Sequence, residues 1–171
     1  MKHHLRGRAA IATAAALVAA GTITAGVSAA SPEHQTSKPK HALPSKAEIA
    51  GLFDHWNAAL QTGDPEKVTA LYAPNAVLLP TLSPKIRTTH AEIADYFVSF
   101  LKKKPVGEKL ETIVNILDDN SAIDTGLYEF HVTDPTTGAK STVEARYTYE
   151  YEKIGGKWLI QNHHSSVLPA E

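Results

Sequence analysis

Beyond Pro105 the sequence consists of four β-rich runs, and this stretch most constrains what the chain can fold into. The runs cover residues 110–117, 122–132, 142–152 and 158–167. The connections between them, Asp118-Asp119-Asn120, Asp134-Pro135-Thr136-Thr137-Gly138 and Gly155-Gly156, are rich in hairpin-type turn residues. Apolar and polar residues alternate along the runs, as in strands with one buried face. The pattern predicts a four-stranded antiparallel meander.

Before Pro105, apolar residues recur at helical spacing in three segments. A capping box, Ser45-Lys46-Ala47-Glu48, opens a predicted helix over residues 46–61. Asp64-Pro65 opens a short second helix, and Thr89-His90-Ala91-Glu92 opens a third that is predicted to stop at Pro105. Residues 76–79 are predicted to form a buried strand. The order of elements predicts an α+β domain, with three N-terminal helices against a curved antiparallel β-sheet.

The N-terminus has the pattern of a secretory signal peptide. Lys2, Arg6 and Arg8 precede a charge-free apolar run, which ends in the small residues Ser28-Ala29-Ala30. We therefore expect residues 1–30 to be a signal peptide, residues 31–44 a flexible linker and residues 45–169 the folded domain of a secreted, extracytoplasmic protein. A transmembrane anchor is the alternative, but Ala, Gly and Thr make the run weakly hydrophobic, and we expect no stable membrane anchor.

Composition narrows the classes of function. The first 30 residues hold three of the 17 Lys and Arg and none of the 18 Asp and Glu, so the remainder carries a net charge of about −4. Nucleic acid is therefore not an expected partner. The chain has no cysteine, which excludes disulfides, thiolate metal sites and a cysteine nucleophile. It also lacks a glycine-rich phosphate loop and a dinucleotide fingerprint, so we expect no cofactor.

Three stretches resemble a known family: WNAALQTGDP at residues 56–65, LYAPNAVLLP at residues 71–80, and GKWLI at residues 156–160 running into His163-His164-Ser165-Ser166. They are similar to the cone-shaped fold of nuclear transport factor 2, ketosteroid isomerase and the SnoaL-like polyketide cyclases. More narrowly, the chain resembles bacterial stand-alone relatives of the association (hub) domain of calcium/calmodulin-dependent protein kinase II. No kinase domain is present in the sequence.

The resemblance implies a cavity between helices and sheet, used by members for proton transfer, for ligand binding or only as core. It also implies that the hub domain lines this cavity with arginines. The positions that align with those arginines are Tyr128, Tyr149 and Ser165, so a basic pocket for carboxylates is not expected. We predict a small-molecule cavity lined by Trp56, Tyr128, Tyr149 and His163, with Arg87 at its mouth.

The strand alternation yields two candidates for acid–base chemistry. Asp124 lies on the predicted inner face of its strand, and His163 shares a face with Ser165. Asp124 is either buried with a raised pKa or, as we favour, solvated near the strand end. His163 acts either as a cavity acid, base or donor or as a structural histidine. Because His163 and His164 point to opposite faces, we expect no metal site.

Two functions therefore remain open. The first is a non-catalytic domain that binds a small molecule and assembles with itself. The second is a cofactor-independent isomerase, cyclase or oxidoreductase that uses His163 or Asp124. We predict a homodimer, or a larger ring, formed by the outer sheet face through Trp158, Ile160 and Arg146, because strict alternation places those side chains away from the cavity.

Overall fold

The computed structural model describes residues 42–170, which form helices covering one face of a five-stranded sheet. The elements are α1 (Lys46–Gln61), α2 (Pro65–Thr69), β1 (Tyr72–Leu79), α3 (His90–Phe100), a 3₁₀ helix (Leu101–Lys103), β2 (Val106–Ile116), β3 (Ser121–Thr133), β4 (Lys140–Ile154) and β5 (Lys157–Val167). The predicted signal peptide and most of the predicted linker lie outside the described residues. Within the described range, no helix has the length and apolar character needed to cross a bilayer.

The helix starts form at the predicted capping residues. The Ser45 hydroxyl accepts a hydrogen bond of 3.0 Å from the backbone N–H of Glu48, and Asp64 caps α2 with Pro65 in its first turn. Thr89 accepts from the backbone N–H of Glu92 at 3.2 Å. These bonds satisfy backbone donors that a helix leaves free at its start. The predicted end of α3 at Pro105 is too late, because Lys104 adopts a left-handed conformation after the 3₁₀ helix.

The sheet order is β1-β5-β4-β3-β2, and the predicted α+β class is confirmed. The strands β2 to β5 form the predicted antiparallel meander. The early strand β1 joins the meander by pairing in parallel with β5. It begins at Tyr72, earlier than predicted, and its register is irregular between Tyr72 and Val77.

The core lies between the helices and the inner sheet face. As predicted, alternate residues of β3 and β4 point inward, and Tyr128, Tyr147, Tyr149 and Tyr151 are all buried. The side chains that meet them from α1 and α3 are Ile49, Phe53, Trp56, Leu60, Ile93, Phe97 and Phe100. Aromatic rings therefore supply most of the apolar volume between helices and sheet.

A bulge in β5 overturns part of the predicted outer face. Tyr151 pairs with Ile160, but Glu150 pairs with Asn162, so Gln161 is an extra residue in the strand. The bulge reverses the alternation, since one added residue exchanges the two faces. Ile160 is buried in the core, and the Trp158 indole donates a 3.0 Å hydrogen bond to Glu48 of α1. The prediction that Trp158 and Ile160 lie on the outer face is therefore wrong.

Helix α1 also covers the beginning of the edge strand β2. The side-chain amide of Asn57 accepts from the backbone N–H of Gly107 and donates to its carbonyl, both at 2.8 Å. Two hydrogen bonds to one residue satisfy the backbone groups of Gly107 in the way that a neighbouring strand would.

Candidate functional site

A narrow pocket opens between α3, the loop after β1 and the inner face of the sheet. Its free volume is about 20 Å³, room for about one water molecule. Most of the lining is aromatic or aliphatic, and it consists of Trp56, Leu78, Pro80, Thr81, Leu82, Tyr96, Phe97, Phe100, Tyr128, Phe130, Val132, Val143, His163 and Ser165. No residue with a formal charge at neutral pH is among them.

The deep side of the pocket holds a hydrogen-bonded group of Trp56, Tyr72 and His163. The indole Nε1–H of Trp56 donates to the Tyr72 hydroxyl at 3.1 Å, and that hydroxyl lies 2.9 Å from His163 Nδ1. Because the indole can only donate, the buried Tyr72 proton is satisfied when it points to Nδ1. His163 is therefore the tautomer that carries its proton on Nε2.

The chain of hydrogen bonds continues from His163 toward the loop after β1. His163 Nε2 lies 3.5 Å from the Tyr128 hydroxyl, which donates to Ser165 Oγ. Ser165 Oγ in turn contacts Thr81 Oγ1. One continuous series of polar groups thus runs from Trp56 to Thr81 and ends in two hydroxyls.

Burial keeps the titratable groups of the pocket uncharged. Desolvation, together with the neighbouring His164, lowers the pKa of His163 from 6.5 to about 3, so its imidazole is neutral at physiological pH. Desolvation also raises the pKa values of Tyr96 and Tyr128 above the ordinary value for a phenol. The pocket consequently presents no net charge to a ligand at neutral pH.

Three of the four residues predicted to line the cavity do so, and the fourth does not. Trp56, Tyr128 and His163 line the pocket, whereas Tyr149 stacks behind His163 with ring centroids 4.1 Å apart. The Tyr149 hydroxyl is buried and has no hydrogen-bond partner among the described residues. Tyr149 therefore supports the imidazole from behind and does not reach the pocket.

Arg87 lies beside the pocket rather than in it. Its guanidinium donates to Asp95 at 2.7 Å, and its backbone pairs with Leu78 of β1. Arg87 lines an adjacent, open groove with Ser83, Ser99 and Lys103, and this groove shares Leu82, Tyr96 and Phe100 with the pocket. The bond to Asp95 ties the loop after β1 to α3, so Arg87 holds the pocket wall in place.

Asp124 is buried in a different part of the core, and the solvated interpretation of it is wrong. Its carboxylate accepts from Lys109 Nζ at 3.1 Å and from the Tyr147 hydroxyl at 3.0 Å. Lys109 Nζ also donates to the Ala50 carbonyl of α1 at 2.8 Å. Desolvation raises the pKa of Asp124, and Lys109 and Tyr147 oppose that rise. The two acid–base candidates, Asp124 and His163, do not share a pocket.

Two further groups, the predicted residue Arg146 and a cluster that was not predicted, lie on the outer face of the sheet. Arg146 is exposed there and donates to Ser166 on the neighbouring strand at 3.1 Å. Glu108, Glu129 and His131 bring three ligand atoms within 4.8 Å of one another. His131 Nε2 lies 3.2 Å from a Glu129 carboxylate oxygen and 3.8 Å from a Glu108 carboxylate oxygen, so the imidazole contacts both carboxylates directly.

Sequence reasoning missed two members of the site. Tyr72 follows Val68 at helical spacing, so the sequence pattern assigns it to the α2 segment and not to a strand. Thr81 lies in a loop after a strand, and no motif marks it. The pairing of β1 with β5 brings residues 72–81 beside His163 and Ser165, so Tyr72 bonds to His163 behind the pocket and Thr81 lines the pocket itself.

Comparison with known proteins agrees with this architecture. A crystal structure described as a calcium/calmodulin-dependent protein kinase II association domain from Xanthomonas campestris is 56% identical, covers 76% of this chain and 94% of its own, and superposes with a TM-score of 0.71. A ketosteroid isomerase-like protein from Erwinia carotovora atroseptica is 18% identical, covering 72% of this chain and 96% of its own, with a TM-score of 0.61.

A nuclear transport factor 2-like superfamily protein from Salmonella enterica serovar Typhimurium is also 18% identical, covering 73% of this chain and 91% of its own, with a TM-score of 0.63. These two distant likenesses concern the fold alone. No curated protein matches the chain. The family model for the calcium/calmodulin dependent protein kinase II association domain matches residues 45–169. The chain therefore belongs to the calcium/calmodulin-dependent protein kinase II association domain family, within the cone-shaped fold of nuclear transport factor 2.

Proposed function

We propose that this chain binds a small uncharged molecule in the pocket between α3 and the sheet, without converting it. The observation that carries the proposal is the pocket lining, which combines apolar walls with one series of neutral hydrogen-bonding groups. Such a combination of apolar surface and few polar groups is typical of small-molecule sites. A charged ligand would lose its hydration there without gaining an opposite charge.

The same geometry disfavours the enzymatic alternative. With a pKa of about 3, His163 is a weak base at neutral pH. Asp124 lies elsewhere and pairs with Lys109. A reaction in the pocket would therefore proceed without a group of matched pKa beside the substrate.

Binding requires the mouth of the pocket to widen, because the free volume is about 20 Å³. Leu82 is 45% exposed and lies in the loop after β1, at the edge of the pocket. Displacement of this side chain enlarges the mouth without breaking the hydrogen-bonded series. We expect a ligand to enter along this loop.

Methylenecyclopentane is a suitable apolar probe for the pocket. The chain has two tryptophans, so the indole N–H resonance of Trp56 reports on the pocket and that of Trp158 is an internal reference. We expect titration to shift the Trp56 resonance and leave Trp158 in place. Val143→Phe, which fills the pocket edge, should abolish the shift, whereas Val98→Phe on the exposed side of α3 should not. A Trp56 resonance that does not move in the wild-type protein would refute pocket binding.

We also propose that the chain associates with itself through the outer sheet face. On that face, the partly or largely exposed side chains of Ile113, Ile123 and Leu127 form an apolar patch on β2 and β3, and Val77 and Leu79 form a second group on the opposite edge strand β1. An apolar patch of this kind marks an interface more often than free surface. A self-complementary face closes most simply as a two-fold dimer, with Arg146 beside Leu127 setting the register.

Light scattering tests the association. We expect the mass of a dimer, and Ile113→Glu should shift the population toward monomer because it places a charge in the apolar patch. The matched variant Val98→Glu introduces the same charge on α3 and should leave the mass unchanged. A wild-type protein that is monomeric at micromolar concentration would exclude this interface.

Export from the cytoplasm is proposed from residues 1–30 alone. The support is the basic start, the charge-free run and the small residues before Ser31. N-terminal sequencing of protein recovered from outside the cytoplasm of the native host should begin within a few residues of Ser31. Retention of Met1 in a membrane fraction would contradict the proposal.

A further inference from the structure

We propose that the pocket selects an uncharged ligand that carries a hydrogen-bond acceptor, above all a carbonyl group. This inference deepens the proposed function, on which it rests, by assigning a chemical class to the ligand. It depends on a count of hydroxyl protons at the polar end of the pocket, where Tyr128, Ser165 and Thr81 meet.

The direction of the series is determined from its deep end. The Trp56 indole can only donate, which orients Tyr72 toward His163 Nδ1 and leaves the proton of His163 on Nε2. That N–H points to the oxygen of Tyr128 at 3.5 Å. The Tyr128 hydroxyl then uses its own proton toward Ser165. Each polar hydrogen at the deep end of the series therefore has an acceptor.

At the outer end, the hydroxyl protons outnumber the hydrogen bonds by one. Tyr128, Ser165 and Thr81 have three hydroxyl protons, but only two hydrogen bonds join their three oxygens. Among the described residues, no other side chain meets Ser165 or Thr81 at the distance and angle of a hydrogen bond, although Thr81 also lies near the Tyr128 hydroxyl. Whether Ser165 donates to Thr81 or accepts from it, one hydroxyl proton of this pair remains free. Ser165 and Thr81 both line the pocket, so the pocket presents a donor.

The surroundings of this donor determine which kind of acceptor it can bind. Ser165 is 7% exposed and Thr81 is half-buried, and a donor left unpaired at such a site costs free energy until an acceptor reaches it. A carboxylate would supply an acceptor, but the pocket lining has no cation to offset its desolvation. A ketone, aldehyde, ester or lactone supplies a neutral acceptor on an apolar body. The pocket chemistry therefore matches a carbonyl compound.

Carbonyl-¹³C NMR of labelled cyclopentanone tests the inference in the wild-type protein. Hydrogen bonding moves a carbonyl carbon downfield, so spectra in hexane and in methanol provide the two reference positions. We expect the shift extrapolated to the bound state to lie downfield, toward the methanol value. We also expect cyclopentanone to shift the Trp56 indole resonance, and cyclopentanecarboxylate to leave it in place.

The outcomes separate this inference from pocket binding. A ketone that moves the Trp56 resonance but keeps a hexane-like carbonyl shift would overturn the free donor while binding stands. The carboxylate binding as well as the ketone would overturn the selection of an uncharged ligand. If neither cyclopentanone nor methylenecyclopentane moves the Trp56 resonance, the proposed function and this inference fail together.

Discussion

Lys109→Met is expected to destabilise the domain by about 3–5 kcal/mol, since it leaves a buried charge without its partner. Asp124 is fully buried, and Lys109 is the cation that contacts it, at 3.1 Å. The change also removes the bond from Lys109 to the Ala50 carbonyl, so α1 loses a tie to the sheet. Denaturant unfolding at pH 7 measures the loss. Lys102→Met removes an exposed lysine and should have little effect.

The pH dependence of that loss identifies its cause. Burial already raises the pKa of Asp124 in the folded protein, and removal of Lys109 raises it further. The folded variant thus takes up a proton before the unfolded chain does, and acidification relieves its buried charge. The difference in the free energy of unfolding between the wild-type protein and Lys109→Met should shrink as the pH falls from 7 toward 4. Lys109→Met/Asp124→Asn should recover most of the stability at pH 7. A deficit independent of pH would point to lost packing instead.

Gly126→Ala is expected to cost about 3 kcal/mol or to prevent folding, at or beyond the upper range for overpacking. A Cβ atom at this position would lie 1.9 Å from the Glu111 carbonyl oxygen and 2.7 Å from its carbon. Both atoms belong to the backbone of β2, beside an irregularity between Lys109 and Glu111. No side-chain rotation relieves the contact, so β2 must move away from β3.

Gly51→Ala is the matched control for that substitution. Nothing lies within 4 Å of a Cβ atom at Gly51, which is in the middle of α1. Alanine there should stabilise the helix by about 0.5–1 kcal/mol, because glycine is the poorer helix former. Thermal unfolding of the two variants should therefore shift in opposite directions. A Gly126→Ala protein with wild-type stability would show that the two strands have room to separate.

Local patterns in the sequence were sufficient to predict the elements and most of the core. Ser45, Asp64 and Thr89 cap helices because capping depends on residues within one turn. The inward faces of β3 and β4 follow from strict alternation, which holds wherever a strand is regular. The same alternation places Tyr128 in the site correctly.

Features that depend on strand register could not be predicted in this way. No residue type in β5 indicates that Gln161 forms a bulge. Regular alternation without that bulge places Trp158 and Ile160 on the wrong face. The burial of Asp124 depends on Lys109, which comes from the neighbouring strand and spans the gap to α1. Tyr72 reaches His163 through the parallel pairing of β1 with β5, a contact between residues far apart in the chain.

The contact between Asn57 and Gly107 bears on aggregation. A strand at the edge of a sheet is a template for another chain, which can add by backbone pairing. The Asn57 amide occupies both backbone groups of Gly107, so an incoming strand finds that position already taken. Further along β2, the irregularity after Lys109 interrupts the pairing register, and Glu111 adds an exposed charge. Helix α1 thus protects the beginning of this edge against uncontrolled growth of the sheet from one molecule to the next.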